Sequence, residues 1–324
     1  MEKFCIDSCG AKCNIDTDRN IKEFFENNKH KLTMPNIKVY DKFDENVNYL
    51  LEYRNSSYDK IKIICDDNSI KVRYPAEMLT DSNIAYIARY LLEKQYAINS
   101  LCTCHSSCVE KDGKAILFLG GAGSGKTSIA LNMCIKHGFK LISNDQTLIG
   151  IVDNKLSALG GTKNLSLRYT SVKENIPSLA YLFNDANVEG WGDKIVIQGS
   201  EVGIDEQYET TNIEEIYVLH IDNKQKQLFY KSGDCWGLNF NLYQNLSENI
   251  RNSISTIVDM YGHPIGYVPS YDNEELYNLR VNIINMINNN DDYRYISGNL
   301  DDVINYILNN REKKKSKVLK STSI

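Results

Sequence analysis

Two runs between Lys60 and Tyr74 alternate apolar with polar residues, Lys60-Ile61-Lys62-Ile63-Ile64 and Ser69-Ile70-Lys71-Val72-Arg73-Tyr74. A period of two predicts strands, and Asp66-Asp67-Asn68 between them predicts the turn of a hairpin. From Asp81 to Lys94 the period changes: Ile84, Ile87, Ala88 and Leu91 recur at three-and-four spacing behind an Asp or Ser cap, which predicts a helix. Cys108-Val109, then Lys111-Asp112-Gly113-Lys114, then Ala115-Ile116-Leu117-Phe118-Leu119 read as strand, tight turn and strand, the Asp-Gly pair being a hairpin signal.

That second strand runs straight into Gly120-Gly121-Ala122-Gly123-Ser124-Gly125-Lys126-Thr127. A helix is predicted from Thr127 to Lys136, ending at Gly138, followed by a short strand at Phe139-Lys140-Leu141-Ile142. Further strands are expected at Lys194–Ile197 and Glu215–His220, and a helix from Leu276 to about Ile287. The pattern is α/β: a smaller mixed α/β region over 1–100, left open to substrate or partner binding, then a nucleotide domain over 101–310. A basic tail over 311–324 (Arg311-Glu312-Lys313-Lys314-Lys315-Ser316-Lys317) is expected to be solvated and frayed.

Composition changes the picture only by exclusion. A net charge of −5 supplies no protein-wide positive field, so nucleic acid is not expected as a partner. The start, Met1-Glu2-Lys3-Phe4-Cys5-Ile6-Asp7, lacks an apolar run of signal-peptide length, and no stretch of membrane-spanning length appears, so the expectation is a cytoplasmic protein without a membrane partner. Nine cysteines in such a chain suggest reduced thiols. Neither Cys5, Cys9 and Cys13 nor Cys102, Cys104, His105 and Cys108 has the paired spacing of a zinc site, and both groups read as small buried residues.

Strand, Gly-x-x-x-x-Gly-Lys-Thr, helix is the strongest chemical signal. Glycines let the backbone curl so that successive amides point at anionic oxygens, and the following helix adds its positive end. Residues Gly120, Gly121, Ala122, Gly123, Ser124, Gly125, Lys126, Thr127 and Ser128 are therefore expected to hold ATP: Lys126 reaches the β and γ phosphates, Thr127 ligates magnesium (Mg2+), and Ser128 assists. Phosphoryl transfer also needs a carboxylate for the metal. Asp145, closing the strand in Leu141-Ile142-Ser143-Asn144-Asp145, is the candidate, expected beside the glycine loop if the two strands are neighbours. His105 lies on a segment expected to pair back against the loop-bearing strand, where its imidazole meets Asp145 or the acceptor.

In their order, His105-Ser106-Ser107-Cys108, the glycine loop and Ser143-Asn144-Asp145 resemble the nucleotide domain of HPr serine kinase/phosphorylase and its relatives, a P-loop group similar in fold to phosphoenolpyruvate carboxykinase. Leu159-Gly160-Gly161-Thr162 through Ser166-Leu167-Arg168 is similar, more weakly, to the stretch after the acids in small HPr-kinase-like proteins. The resemblance implies an HPr kinase-like P-loop domain in which Asp145 binds magnesium, His105 supports that acid, and the acceptor is a hydroxyl of a peptide serine or a small metabolite. It leaves a homo-oligomer open.

Two departures matter. Where the family has two adjacent acids, the first acting as base, this chain has Asn144, which cannot accept a proton near neutral pH. No arginine lies between Arg168 and Arg251, so the downstream basic role falls to Arg168, Lys163, Lys194 or a more remote residue. The leading expectation is an ATP-dependent kinase with Lys126, Asp145, His105 and Arg168 as its catalytic residues. The competing one is a nucleotide-binding regulatory protein or slow ATPase in which Asn144 marks lost transfer chemistry.

Overall fold

In a computed structural model of the chain, residues 1–29, 32–57, 60–75, 80–184, 194–233, 235–251 and 256–321 are described. The fold is mixed α/β. Strands β1 (Glu2–Ser8), β2 (Ala11–Thr17), β3 (Lys38–Tyr40), β4 (Leu50–Asn55), β5 (Lys62–Cys65) and β6 (Ser69–Tyr74) form a six-stranded sheet in the order β3-β1-β2-β4-β6-β5. The expected hairpin is present as β5 and β6, with Cys65 opposite Ile70. Helix α1 (Lys22–Asn27) precedes β3, and α2 (Asp81–Ile98) follows β6. Thr80, not an Asp or Ser, occupies the N-cap of α2 and makes no side-chain cap bond. Phe4, Ile15, Phe25, Leu51, Tyr53, Ile84 and Leu91 pack between this sheet and its helices.

The second sheet has nine strands. Its first members are β7 (Leu101–His105), β8 (Ser107–Lys111), β9 (Lys114–Leu119), β10 (Lys140–Ser143), β11 (Gln146–Val152) and β12 (Lys155–Gly161), with α3 (Lys126–His137) between β9 and β10. β13 (Asn164–Arg168) and β14 (Lys194–Gln198) form a separate two-stranded ribbon, with α4 (Tyr169–Asn175) between them. The chain continues through β15 (Thr211–Ile221), β16 (Phe229–Ser232), α5 (Trp236–Ser247), the hairpin β17 (Thr256–Val258) and β18 (Pro264–Tyr267), α6 (Glu274–Asn288), β19 (Tyr293–Gly298) and α7 (Leu300–Ser321).

β9 shows why this sheet is covered on both faces. Ile116 and Phe118 point into one core with Ile129, Leu131, Leu141, Ile304 and Ile307; Ala115, Leu117 and Leu119 point into another with Cys102, Cys104, Leu242, Ile283 and Ile287. Alternation sends successive side chains to opposite faces, and an all-apolar strand with a helix layer on each side is the consequence. α3 and α7 lie over one face, α5 and α6 over the other. All nine cysteines are free thiols, and burial pushes those of Cys102 and Cys104 up to about 12.

The strand order corrects two sequence expectations. β9 has only two hydrogen-bonding edges: its tight-turn partner β8 takes one, and β15, running parallel to it, takes the other. β10 therefore pairs with β8 and is not a neighbour of the loop-bearing strand. Nor does the segment ending at His105 pair with β9; β7 pairs with β11, placing His105 opposite Gln146.

The basic run differs as well. Its first residues continue α7: Arg311 is buried with its guanidinium 3.3 Å from Glu215, Lys314 pairs with Asp292, and Lys315 lies 2.6 Å from Asp112. Acids waiting on the sheet hold what charge repulsion alone would fray. Residues 322–324 of the tail lie outside the described residues. Among the described residues, no helix is long and apolar enough to cross a membrane.

Candidate functional site

The glycine loop joins β9 to α3. Gly125, at φ +96°, caps the start of α3, and a Cβ there would sit 2.6 Å from the Cβ of Ile221 at the end of β15. Gly120, at φ +143°, meets the same demand from Ser124, whose Cβ would be 2.9 Å away. The loop is thus drawn tight against the parallel strand, and the Ile221 amide donates to the Ser124 carbonyl at 3.0 Å. Only glycine combines the left-handed backbone with that approach.

Lys126 closes the loop from inside. Its Nζ donates to the carbonyls of Gly120 (2.7 Å) and Gly121 (3.0 Å), and burial lowers its pKa against the pull of Asp145. The Ser124 Oγ is buried with no hydrogen-bond partner among the described residues. A buried hydroxyl left this way costs free energy unless a ligand satisfies it.

A cleft of about 810 Å3 opens in front of the loop. It is lined by Ala122 through Ser128, by His105, Asn144 and Asp145, and by Arg168 and Lys194, which face each other across the β13–β14 register. Asp222 and Lys224, just past β15, complete the rim. Of the sequence-predicted residues, Thr127, Ser128, Lys126, Asp145, His105 and Arg168 all line this cleft, and the Ser128 and Ser171 hydroxyls lie 3.1 Å apart. Gly120 and Gly121 instead face a second chamber behind the loop.

His105 and Asp145 come together by pairing. β7 ends at His105, β11 begins at Gln146, and the Ser106 amide donates to the Asp145 carbonyl at 3.1 Å. The His105 Nε2 lies 3.6 Å from Asp145 Oδ1. Burial, helped by the Lys126 charge, lowers the imidazole pKa below its ordinary 6.5, which favours the neutral ring.

Three features escape sequence reasoning. Asn245 on α5 clamps the His105 backbone from both sides, accepting its amide at 2.7 Å and donating to its carbonyl at 3.1 Å. Asn144 is a structural cross-link: its side-chain amide donates to the Asn164 carbonyl (3.0 Å), its own amide donates to Thr162, and its carbonyl accepts from Ser107. Lys163 is spent on the backbone carbonyls of Leu141, Ile142 and Gln207 and does not line the cleft, which leaves Arg168 and Lys194 of the three named candidates. Nothing in the sequence marks Asn245, 140 residues from its partner. Asp222 did carry a signal, an acid at the end of an apolar strand.

The groups present fit a magnesium triphosphate. The glycine cradle, the Ser124 hydroxyl that has no partner among the described residues, Lys126 with Arg168, Lys194 and Lys224, and the carboxylate of Asp145 are a donor set suited to anionic oxygens and a hard cation. Among solved structures, the HPr(Ser) kinase/phosphatase from Coxiella burnetii is similar to this chain at 18% identity and a TM-score of 0.24, over 40% of this chain and 75% of its own, a distant likeness. No protein-family model matches the chain, and no curated protein matches it.

Proposed function

We propose that the chain is an ATP-dependent phosphotransferase that moves the γ-phosphoryl group to a hydroxyl. One observation carries this: the Lys126 ammonium, held on loop carbonyls, shares a cleft with an imidazole and a carboxylate 3.6 Å apart. Loop amides and Lys126 bind the β and γ phosphates, while Arg168 and Lys194 neutralise charge across the cleft. Thr127 and Asp145 would hold magnesium, which would supply charge neutralisation at the phosphate oxygens. The acceptor oxygen forms its bond to the γ-phosphorus as the bond to the β–γ bridging oxygen breaks; ADP leaves with the electron pair, and the hydroxyl proton passes to the His105–Asp145 pair. Because Asn144 is tied into the backbone, that pair takes the role left vacant by a missing second acid.

The test is calorimetry with ATP and magnesium, followed by incubation with γ-labelled ATP and a panel of seryl peptides and small alcohols. Label should move to an acceptor with the parent protein and not with Lys126→Ala. Well-folded protein that takes up no ATP in magnesium would end this reading. Slow phosphate release without transfer would favour the nucleotide-binding or slow ATPase alternative, which the single carboxylate at Asn144-Asp145 keeps in play.

A further inference from the structure

A separate pocket is built from the helical spacing of α2. Ser82, Ala85, Tyr86 and Arg89 fall at i, i+3, i+4 and i+7, which places them on one face of the helix. Phe24 of α1 and the stretch Leu32 to Met34 stand against that face and enclose about 220 Å3, roughly seven water molecules' worth of liquid. Phe24, Leu32, Met34 and Ala85 make its walls mostly apolar. Arg89 is the one charged side chain among its described lining residues.

Arg89 uses only part of its guanidinium. The residue is 7% exposed; its Nε pairs with Glu93 at 3.2 Å and its Nη1 donates to Thr33, while Nη2 is buried with no partner among the described residues. A buried donor without an acceptor costs free energy until one is supplied. Water is a poor supplier here, because apolar walls offer it few of the two to four partners it needs. An apolar molecule that carries an acceptor oxygen satisfies the walls and the donor together. Glu93 already answers the guanidinium's charge, so a ligand carboxylate would be buried with no cation of its own among the described lining residues. A neutral carbonyl oxygen carries no such penalty.

We propose that this pocket is a binding site for a small uncharged apolar compound, held through a carbonyl oxygen on Arg89 Nη2. The site goes beyond the phosphotransferase reading and does not depend on it. Thr33 is the one described residue that lines both this pocket and the nucleotide cleft, so the two spaces are neighbours with different chemistry and both can be filled at once.

The probes are 4-methylpentanamide, acetamide (the carbonyl without the alkyl body), 4-methylpentylamine (the body without an acceptor oxygen) and 4-methylpentanoate. Each is titrated into the full chain carrying 13C-methyl methionine and followed by the NMR signal of Met34. The amide should bind tightest, with acetamide and the amine each weaker by about tenfold or more and the carboxylate no tighter than the amide. Arg89→Lys keeps a cation beside Glu93 but removes Nη2, and should weaken the amide by about tenfold. Ala85→Leu fills the pocket and leaves the Arg89–Glu93 pair untouched; it should abolish the Met34 shift whether or not Arg89→Lys folds. Saturating magnesium-ATP should change the amide's affinity by no more than about twofold. No shift at Met34 with any probe, an amine that binds as well as the amide, a carboxylate that binds tighter, or full binding in Ala85→Leu overturns the assignment. Displacement of the amide by ATP overturns it too, because the pocket would then be an arm of the nucleotide cleft. Failure of the parent to bind ATP sinks the phosphotransferase reading alone, and the probe results stand without it.

Discussion

At the residue scale, the proposed phosphotransferase reading gives two groups the chemistry, each with a distinct signature. Asp145→Asn keeps the shape and removes the charge that faces Lys126 and His105. Magnesium-dependent transfer should fall by about 10²–10³, the scale of a lost preorganised electrostatic group, in steady-state assays with folding unchanged. His105 predicts the pH profile. Its pKa in the fold lies below the ordinary 6.5, which favours the proton-accepting form at neutral pH, and activity should decline as pH drops below that value. Since the folded state resists the proton more than the unfolded chain does, stability also falls as pH drops through the same window. His105→Gln should lose both the rate and this acidic limb; a profile with the limb intact would remove His105 from the mechanism.

At the element scale, the loop works because β15 lies against it. Gly125→Ala must place a Cβ at φ +96° and 2.6 Å from that of Ile221. Strain and overlap together should cost about 2–4 kcal/mol by denaturant titration and abolish ATP uptake. Lys163 makes a second test. Burial lowers its pKa from 10.5 to about 8, so between those values the unfolded chain holds a proton that the folded protein has shed. Stability should therefore gain a rising component from pH 8 to 10.5, and Lys163→Met should flatten it. The sequence left Lys163 open for the downstream basic role because sequence alone cannot say which way a lysine turns. The backbone carbonyls of Leu141 and Ile142 in β10 and of Gln207 decide that it turns inward.

At the scale of the whole molecule, a buried polar chain ties the six-stranded sheet's helix to the site. Arg89 of α2 donates to Thr33, which lines the cleft, and pairs with Glu93 at 3.2 Å. Thr103 of β7 donates to Glu93 at 2.9 Å and accepts from Asn249 at 2.6 Å. Arg89 and Glu93 are 7% and 4% exposed, so removing one strands a buried charge. Glu93→Ala should cost about 3–5 kcal/mol and, because β7 ends at His105, lower activity in the protein that still folds. Equal activity per folded molecule would show that the chain is a strut only.

The sequence by itself determined the local chemistry: the turn at Asp112-Gly113, the glycine loop, the apolar strand feeding it and the helix stopped by Gly138 are all set by residues within a few positions of one another. Period, turn propensity and backbone freedom act at short range, so one chain suffices to read them. Only the tertiary structure decided that β8 and β15 take both edges of β9, that β7 reaches Asp145 through β11, that Asn245 holds His105, and that Arg311 is buried against Glu215. Those contacts join residues up to 140 apart or pit one pairing edge against another, and which pairing wins depends on the burial of whole strands and helices.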